Sequence, residues 1–272
     1  MGTGAGHGAV LLPPVAASPD RPPGPTPTTR PTPRPEPART AAPGPAPTPK
    51  PTSVNELPSD VSPLAGRQRE LARLTERSSS GGVTVVAVDG TPGMGRSRLI
   101  IQAARELVPG HPAGCLFLDL RAHATGQPLS PRRALARMLR TLGGDGEEEL
   151  TAAWRSATSD LRLLLLDDAV DARQVRPLLT SGPGSTVIVS SRRRLAGPDA
   201  TRRISLDPLP DGDSRRLFGS LVGADRAERE PDAARALVRL CDGLPLALRI
   251  LGARLQTRPE WPLAHMLGSP KP

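Results

Sequence analysis

VTVVAVDGTPGMGRS, residues 83–97, is a valine-rich run that breaks into glycines and then into hydroxyl and basic residues. The run is short, β-branched and apolar without alternation, which predicts a buried strand of a parallel sheet over 83–89. Gly90, Gly93 and Gly95 then let the backbone turn sharply, and the spacing predicts a helix over 97–107. Gly90-Thr91-Pro92-Gly93-Met94-Gly95-Arg96-Ser97 fits the phosphate-loop pattern Gly-x-x-x-x-Gly-Lys-Ser/Thr at every position except the lysine, which is Arg96. Successive amides of such a loop face one anion, the helix adds its positive end, and a serine at the position of Ser97 can reach magnesium. The alternative is a glycine turn that packs a helix closely on a strand.

Outward from this loop, segments of both periods alternate. CLFLDL (115–120), LRLLLLD (161–167), STVIVS (185–190) and a short stretch at 204–206 read as four more strands. Helical patterns lie at 63–77, 131–142, 147–158 and 175–179. The alternation predicts an α/β domain with a five-stranded parallel sheet. After Pro210 no strand pattern recurs, and 211–222, 231–241 and 244–255 are helical in period, which predicts a small helical subdomain.

Three further stretches carry polar chemistry. Asp167 and Asp168 end an apolar strand, where the first acid would hold a magnesium shell and the second would orient or deprotonate water; an acidic pair that caps the next helix is the alternative. GSTVIVSSR (184–192) ends in two hydroxyls and Arg192, at the carboxyl edge where ligands of such sheets bind; a solvated basic turn is the alternative for Arg192, Arg193 and Arg194. DGLPLAL (242–248) has a helix-capping glycine and a first-turn proline, Pro245, a complete structural account by itself.

The rest of the chain bounds the function. Of 272 residues 34 are proline, and half of these precede Asp60 in Thr-Pro and Ala-Pro steps that favour an extended, donor-poor chain. Residues 1–57 read as a disordered tail or linker, and 263–272 as a disordered end. The net charge of +9 is almost all arginine, and two phenylalanines and two tryptophans are the whole aromatic complement. Without stacking platforms or a helix-turn-helix signature, direct nucleic-acid binding is not expected. Cys115 and Cys241 lie in apolar segments and read as core residues of a reducing compartment. With no signal peptide and no membrane-length apolar run, the expected location is the cytoplasm.

Taken together, Ala65-Gly66-Arg67-x-x-Glu70-Leu71, the glycine loop, the Asp167–Asp168 strand and Gly-Leu-Pro-Leu-Ala-Leu (243–248) resemble, in order, the marks of the NB-ARC domain of STAND signalling P-loop NTPases. Such domains occur in bacterial regulators of the streptomycete antibiotic-regulator type, where a DNA-binding region precedes them. The resemblance implies a nucleotide-binding domain over 58–208 and a helical subdomain over 209–262. It implies ADP or ATP with magnesium as ligands. Gly66 and Arg67 would lie near the adenine, and Gly90, Gly93, Met94, Gly95, Arg96, Ser97 and Arg98 would surround the phosphates. Ser97 and Asp167 would hold the metal, Asp168 and Arg96 would be catalytic, Arg192 would report on the terminal phosphate, and Pro245 would close over the nucleotide. The expected function is a nucleotide-dependent regulatory switch, in transcriptional regulation, with weak or no hydrolysis because arginine replaces lysine. A working ATPase and a scaffold with a degenerate loop are the alternatives. The family's winged-helix and output parts are expected from a partner or from elsewhere in a longer protein.

Overall fold

A computed structural model of the chain describes residues 54–59, 64–76, 81–122, 126–144, 149–160, 162–196 and 200–268. The tail reading for residues 1–53 and the reading for 269–272 lie outside them.

Six strands form one parallel sheet in the order β1-β3-β4-β5-β2-β6, from β1 (Val54–Asn55), β2 (Thr84–Asp89), β3 (Gly114–Asp119), β4 (Leu163–Ala169), β5 (Thr186–Ser191) and β6 (Arg202–Ser205). Five were expected. The sixth, β1, falls inside the stretch read as tail. It is two residues long and pairs with β3 through Val54↔Gly114 and Asn55↔Cys115, extended by Glu56 N donating to Cys115 O at 3.0 Å. A two-residue edge pairing needs no apolar run, so hydrophobic periodicity cannot register it.

The strands read as continuous apolar runs because helices cover both faces. Side chains still alternate. Val86, Leu163, Leu165 and Ile188 meet α2 (Arg96–Leu107) and Leu74 of α1 (Gln68–Thr75) on one face. Val85, Leu164, Leu166 and Val187 meet α3 (Pro131–Thr141), α4 (Leu150–Ala157) and Val175 of α5 (Ala172–Val175) on the other. Each leucine of β4 is fully buried, which contributes about 1.5–3 kcal/mol apiece. Local chemistry sets the helix starts: Ser130 caps α3 by accepting from Arg133 N at 3.4 Å with Pro131 at the first position, and Asp171 caps α5 by accepting from Gln174 N at 2.9 Å.

Beyond β6 the chain is helical: α6 (Asp211–Val222), α7 (Ala224–Arg229), α8 (Pro231–Leu240), α9 (Pro245–Gln256) and α10 (His265–Gly268). Phe218, Leu237, Leu248, Leu255 and Leu263 form a separate apolar cluster there. α9 lies against α6 so closely that a Cβ on Gly252 would stand 2.7 Å from that of Leu221. The two parts touch through backbone bonds, Leu209 N to Gly243 O at 2.8 Å and Leu246 N to Gly93 O at 3.2 Å. Among the described residues no helix is long and apolar enough to cross a membrane.

Candidate functional site at the carboxyl edge of the sheet

The turn after β2 uses its glycines as the pattern requires. Gly93 and Gly95 have φ of +87° and +85°, a region costly for other residues. Gly95 directly precedes α2, and α2 carries the loop's positive end. Among the described residues no acceptor takes the amides of Gly93, Gly95, Arg96 or Ser97. The first-turn amides of any helix are open; two left-handed glycines just before them turn this set into an anion-binding concavity.

Sheet order places the acids. β5 lies between β2 and β4, with Asp89 and Ala169 both in register with Ser191. The register shifts between Leu166 and Ala169, and Asp168 sits in that irregularity with φ +51°. A non-glycine residue held there costs of order 1–3 kcal/mol and is over-determined by its neighbours. Here the neighbours are Ser190 and Asp167. The Asp168 amide donates to Ser190 Oγ and Asp167 Oδ1, both at 3.0 Å, and Ser190 Oγ also donates to Asp167 Oδ1. Asp167 is buried, and its Oδ2 takes no hydrogen bond among the described residues.

Arg96 bridges loop and acids. Its guanidinium donates to Gly90 O and stands 3.8 Å from Asp168 Oδ1, while its buried Nε has no hydrogen-bond partner. Arg192 Nε lies 3.8 Å from the same Asp168 oxygen. Burial pulls the Arg96 guanidinium below the ordinary arginine value, and Asp168 and Asp167 act against that. An orphaned buried donor at a phosphate loop fits an anion, so the residues present suit a bound phosphate. For a divalent cation the donor set is Ser97 Oγ, which is exposed at the start of α2, and the carboxylate of Asp167.

A cleft of about 280 Å³ opens over the loop, close to the lower end of small-molecule sites, about 300–1,000 Å³. Leu64, Ala65, Met94, Leu217, Pro245 and Leu246 supply apolar wall. Arg67, Arg96, Arg98 and Arg249 supply charge, and among the described residues no acid lines it. Thr91, Gly93, Gly95 and Ser97 complete the floor.

The expected residues divide among these places. Gly93, Met94, Gly95, Arg96, Ser97, Arg98, Arg67 and Pro245 line the cleft. Gly66 does not; it sits between two lining residues with φ +68°, and an added Cβ would stand 2.5 Å from that of Asp213 in α6. Gly90 packs on Leu206 and offers its carbonyl to Arg96. Asp167, Asp168 and Arg192 stand outside the cleft wall and connect to it through Arg96. Arg67 is buried and ties α1 to the end of the sheet, donating to Glu70 Oε1 at 2.8 Å and Asp207 O at 2.5 Å. Leu64, Ala65, Thr91, Leu217, Leu246 and Arg249 were not anticipated as lining. For Arg249 a signal existed: it lies four residues after Pro245, on the same helix face.

No protein-family model matches the chain. It is 35% identical over 216 residues to the regulatory protein AfsR of Streptomyces griseus, covering 76% of this chain and 22% of that protein. It is 31% identical over 102 residues to the disease resistance protein ADR1 of Arabidopsis thaliana, covering 36% of this chain and 13% of that one. The chain thus spans about a fifth of the length of the AfsR protein it matches. A chain in the structure of Drosophila ORC bound to DNA superposes with a TM-score of 0.54 at 18% identity, covering 78% of this chain and 64% of that chain, which is a likeness of fold alone. Sheet order, glycine loop, paired acids and these relatives agree: the chain belongs to the NB-ARC group of STAND P-loop NTPases.

Proposed function

We propose that the chain binds ADP and ATP in the cleft over the glycine loop and acts as a nucleotide-dependent regulatory module, with little or no hydrolysis. One observation carries the reading: the cleft joins an apolar wall to four arginines, with no acid among its described lining residues, above a glycine turn with open amides. A purine nucleotide has that same polarity, with an apolar ring at one end and phosphates at the other. On this reading residues 58–208 are the nucleotide-binding part and 209–262 the helical subdomain that closes on it. Gly93, Gly95, Arg96 and Ser97 hold phosphate, Arg98 flanks it, Pro245 closes over the nucleotide, and Arg192 senses the terminal phosphate. Gly66 acts only by shaping the wall. Ser97 and Asp167 are the residues that would hold magnesium, whose chemistry when bound is to neutralise phosphate charge.

Hydrolysis is weak on this reading because Asp168 already faces two guanidiniums, at 3.8 Å each. Water activation needs a carboxylate open to the water. AfsR is named a regulatory protein and ADR1 a disease resistance protein. Regulation here, through transcription and with a protein partner or output domain, follows that likeness.

Calorimetry with ADP and ATP, with and without magnesium, tests the binding, and steady-state phosphate release tests turnover. Saturable binding with negligible release is the expected result. No heat with any nucleotide overturns the reading. Rapid release lost in Asp168→Asn would make the chain a working ATPase instead.

A further inference from the structure

We propose that Arg249 is a phosphate-contacting residue supplied by the helical part, so that the seating of α9 on the glycine loop depends on the charge of the bound ligand. The inference rests on the nucleotide reading above and adds to it a ligand contact and the means by which the ligand is felt elsewhere.

Arg249 lines the cleft beside Pro245 and Leu246. It is half-buried, and no hydrogen bond or ion pair takes its guanidinium among the described residues. This separates it from Arg67, which Glu70 and Asp207 hold, and from Arg96, which Gly90 and Asp168 hold. A half-buried guanidinium over open amides, with no acid among the described wall residues, is an arrangement that a multivalent anion completes.

The helix that carries it can transmit the contact. Leu248 and Leu255 on α9 are fully buried in the helical cluster, and Gly252 is pressed on Leu221 of α6. α9 therefore moves with that cluster. Its first turn is already joined to the loop by Leu246 N to Gly93 O at 3.2 Å, and Gly93 lies so near Leu246 that an added Cβ would stand 3.3 Å from its Cβ, tighter than ordinary contact. Leu244 just before α9 packs on the sheet's apolar cluster, while Leu246 and Ile250 in its first two turns stay exposed, so apolar burial holds this end of α9 only in part. A ligand that pairs with Arg249 adds to these contacts, and more phosphates add more. A ligand shifts such an equilibrium only through contacts that differ between states.

The test compares Arg249→Gln and Arg249→Lys with the unaltered full chain. Calorimetry with AMP, ADP and ATP gives affinities, and amide hydrogen exchange over 243–256 gives the seating of α9. The expected result is a loss of about tenfold or more for ATP in Arg249→Gln, a much smaller loss for AMP, and partial recovery in Arg249→Lys. Nucleotide-induced protection of 243–256 should disappear in Arg249→Gln. Equal losses for AMP and ATP, or unchanged affinity with unchanged protection, overturn the inference. Arg249 is partly exposed, so both variants should fold; thermal unfolding checks this, and if Gln fails to fold, Lys against wild type decides by the same ratio. Failure of the unaltered chain to bind any nucleotide strikes the underlying reading, whereas binding unaffected by Arg249 strikes this inference alone.

Discussion

Arg96 stands where the loop pattern has lysine, and its surroundings show what the change does. The fork spans from Gly90 O to Asp168, an anchorage on two sides that a point-charged ammonium would not reproduce. Arg96→Lys should therefore keep nucleotide binding while freeing Asp168 and the transferring phosphate from a rigid plane. Phosphate release is expected to rise about tenfold or more, since small misplacements at a reacting centre cost up to about 100-fold. Release no faster than wild type would locate the limit elsewhere, with Arg192 on Asp168 the next suspect. Cys115 gives a second test at this scale. Burial pushes its thiol from an ordinary 9.0 up to about 12, with Glu56 adding to the rise. The folded state keeps the proton longer than the unfolded chain, so the contribution to stability is whole below pH 9 and is lost between 9 and about 12. Urea midpoints from pH 8 to 10.5 should fall more steeply in wild type than in Cys115→Ala. The native thiol should also resist alkylation at pH 8.

Elements differ in how much of them the sequence displays. β2, β4 and β5 announce themselves because burial on both faces demands apolar residues through the middle of each strand. α3 and α9 do so through a capping serine or a first-turn proline. α7 carries Asp225, Arg226, Glu228 and Arg229 in six residues and buries none, so it leaves no apolar trace; α10 spans four residues. The glycine loop and the acid pair were legible because their chemistry fixes residue types at set spacings. The left-handed turn of Asp168 was not, since it depends on which neighbour lies across a gap in the chain; the lining role of Arg249 was readable only from its place one turn after Pro245. Trp154 shows what an element owes to one side chain. It is fully buried between α3 and the sheet, and Nε1 donates to Leu178 O at 3.0 Å and Leu179 O at 3.1 Å. Trp154→Ala should cost about 3–5 kcal/mol, and Trp154→Phe about 1–3 kcal/mol through the two carbonyls left without a donor. Chemical denaturation of both variants separates packing from hydrogen bonding, and equal losses would assign the whole effect to the indole N–H.

Across the whole described body, two apolar clusters clasp the sheet and a third holds the helices together. The junction between them consists of a few backbone bonds, Leu244 packed on the sheet cluster, Ala65 packed on the helical one, and Gly243, whose φ of +66° brings it so near Leu209 that a Cβ would stand 2.6 Å from that residue's carbonyl oxygen. Cooperative units follow such boundaries, so the helical part should open more readily than the sheet. The two tryptophans report on the two sides: Trp154 lies against the sheet, and Trp261 packs under Arg258 at 4.2 Å in the helical part. In urea without ligand, the Trp261 signal of Trp154→Phe should change at lower denaturant than the Trp154 signal of Trp261→Phe. A nucleotide gripped by residues of both parts binds only when both are folded. At 100 times its dissociation constant it should stabilise that state by about 2.7 kcal/mol, which at about 1–3 kcal/mol per molar urea moves a midpoint by about 1–3 M. The lower transition should gain more and the two should converge. If the Trp154 transition moves and the Trp261 transition does not, the cleft is built by the sheet alone, and α9 has no share in holding what it covers.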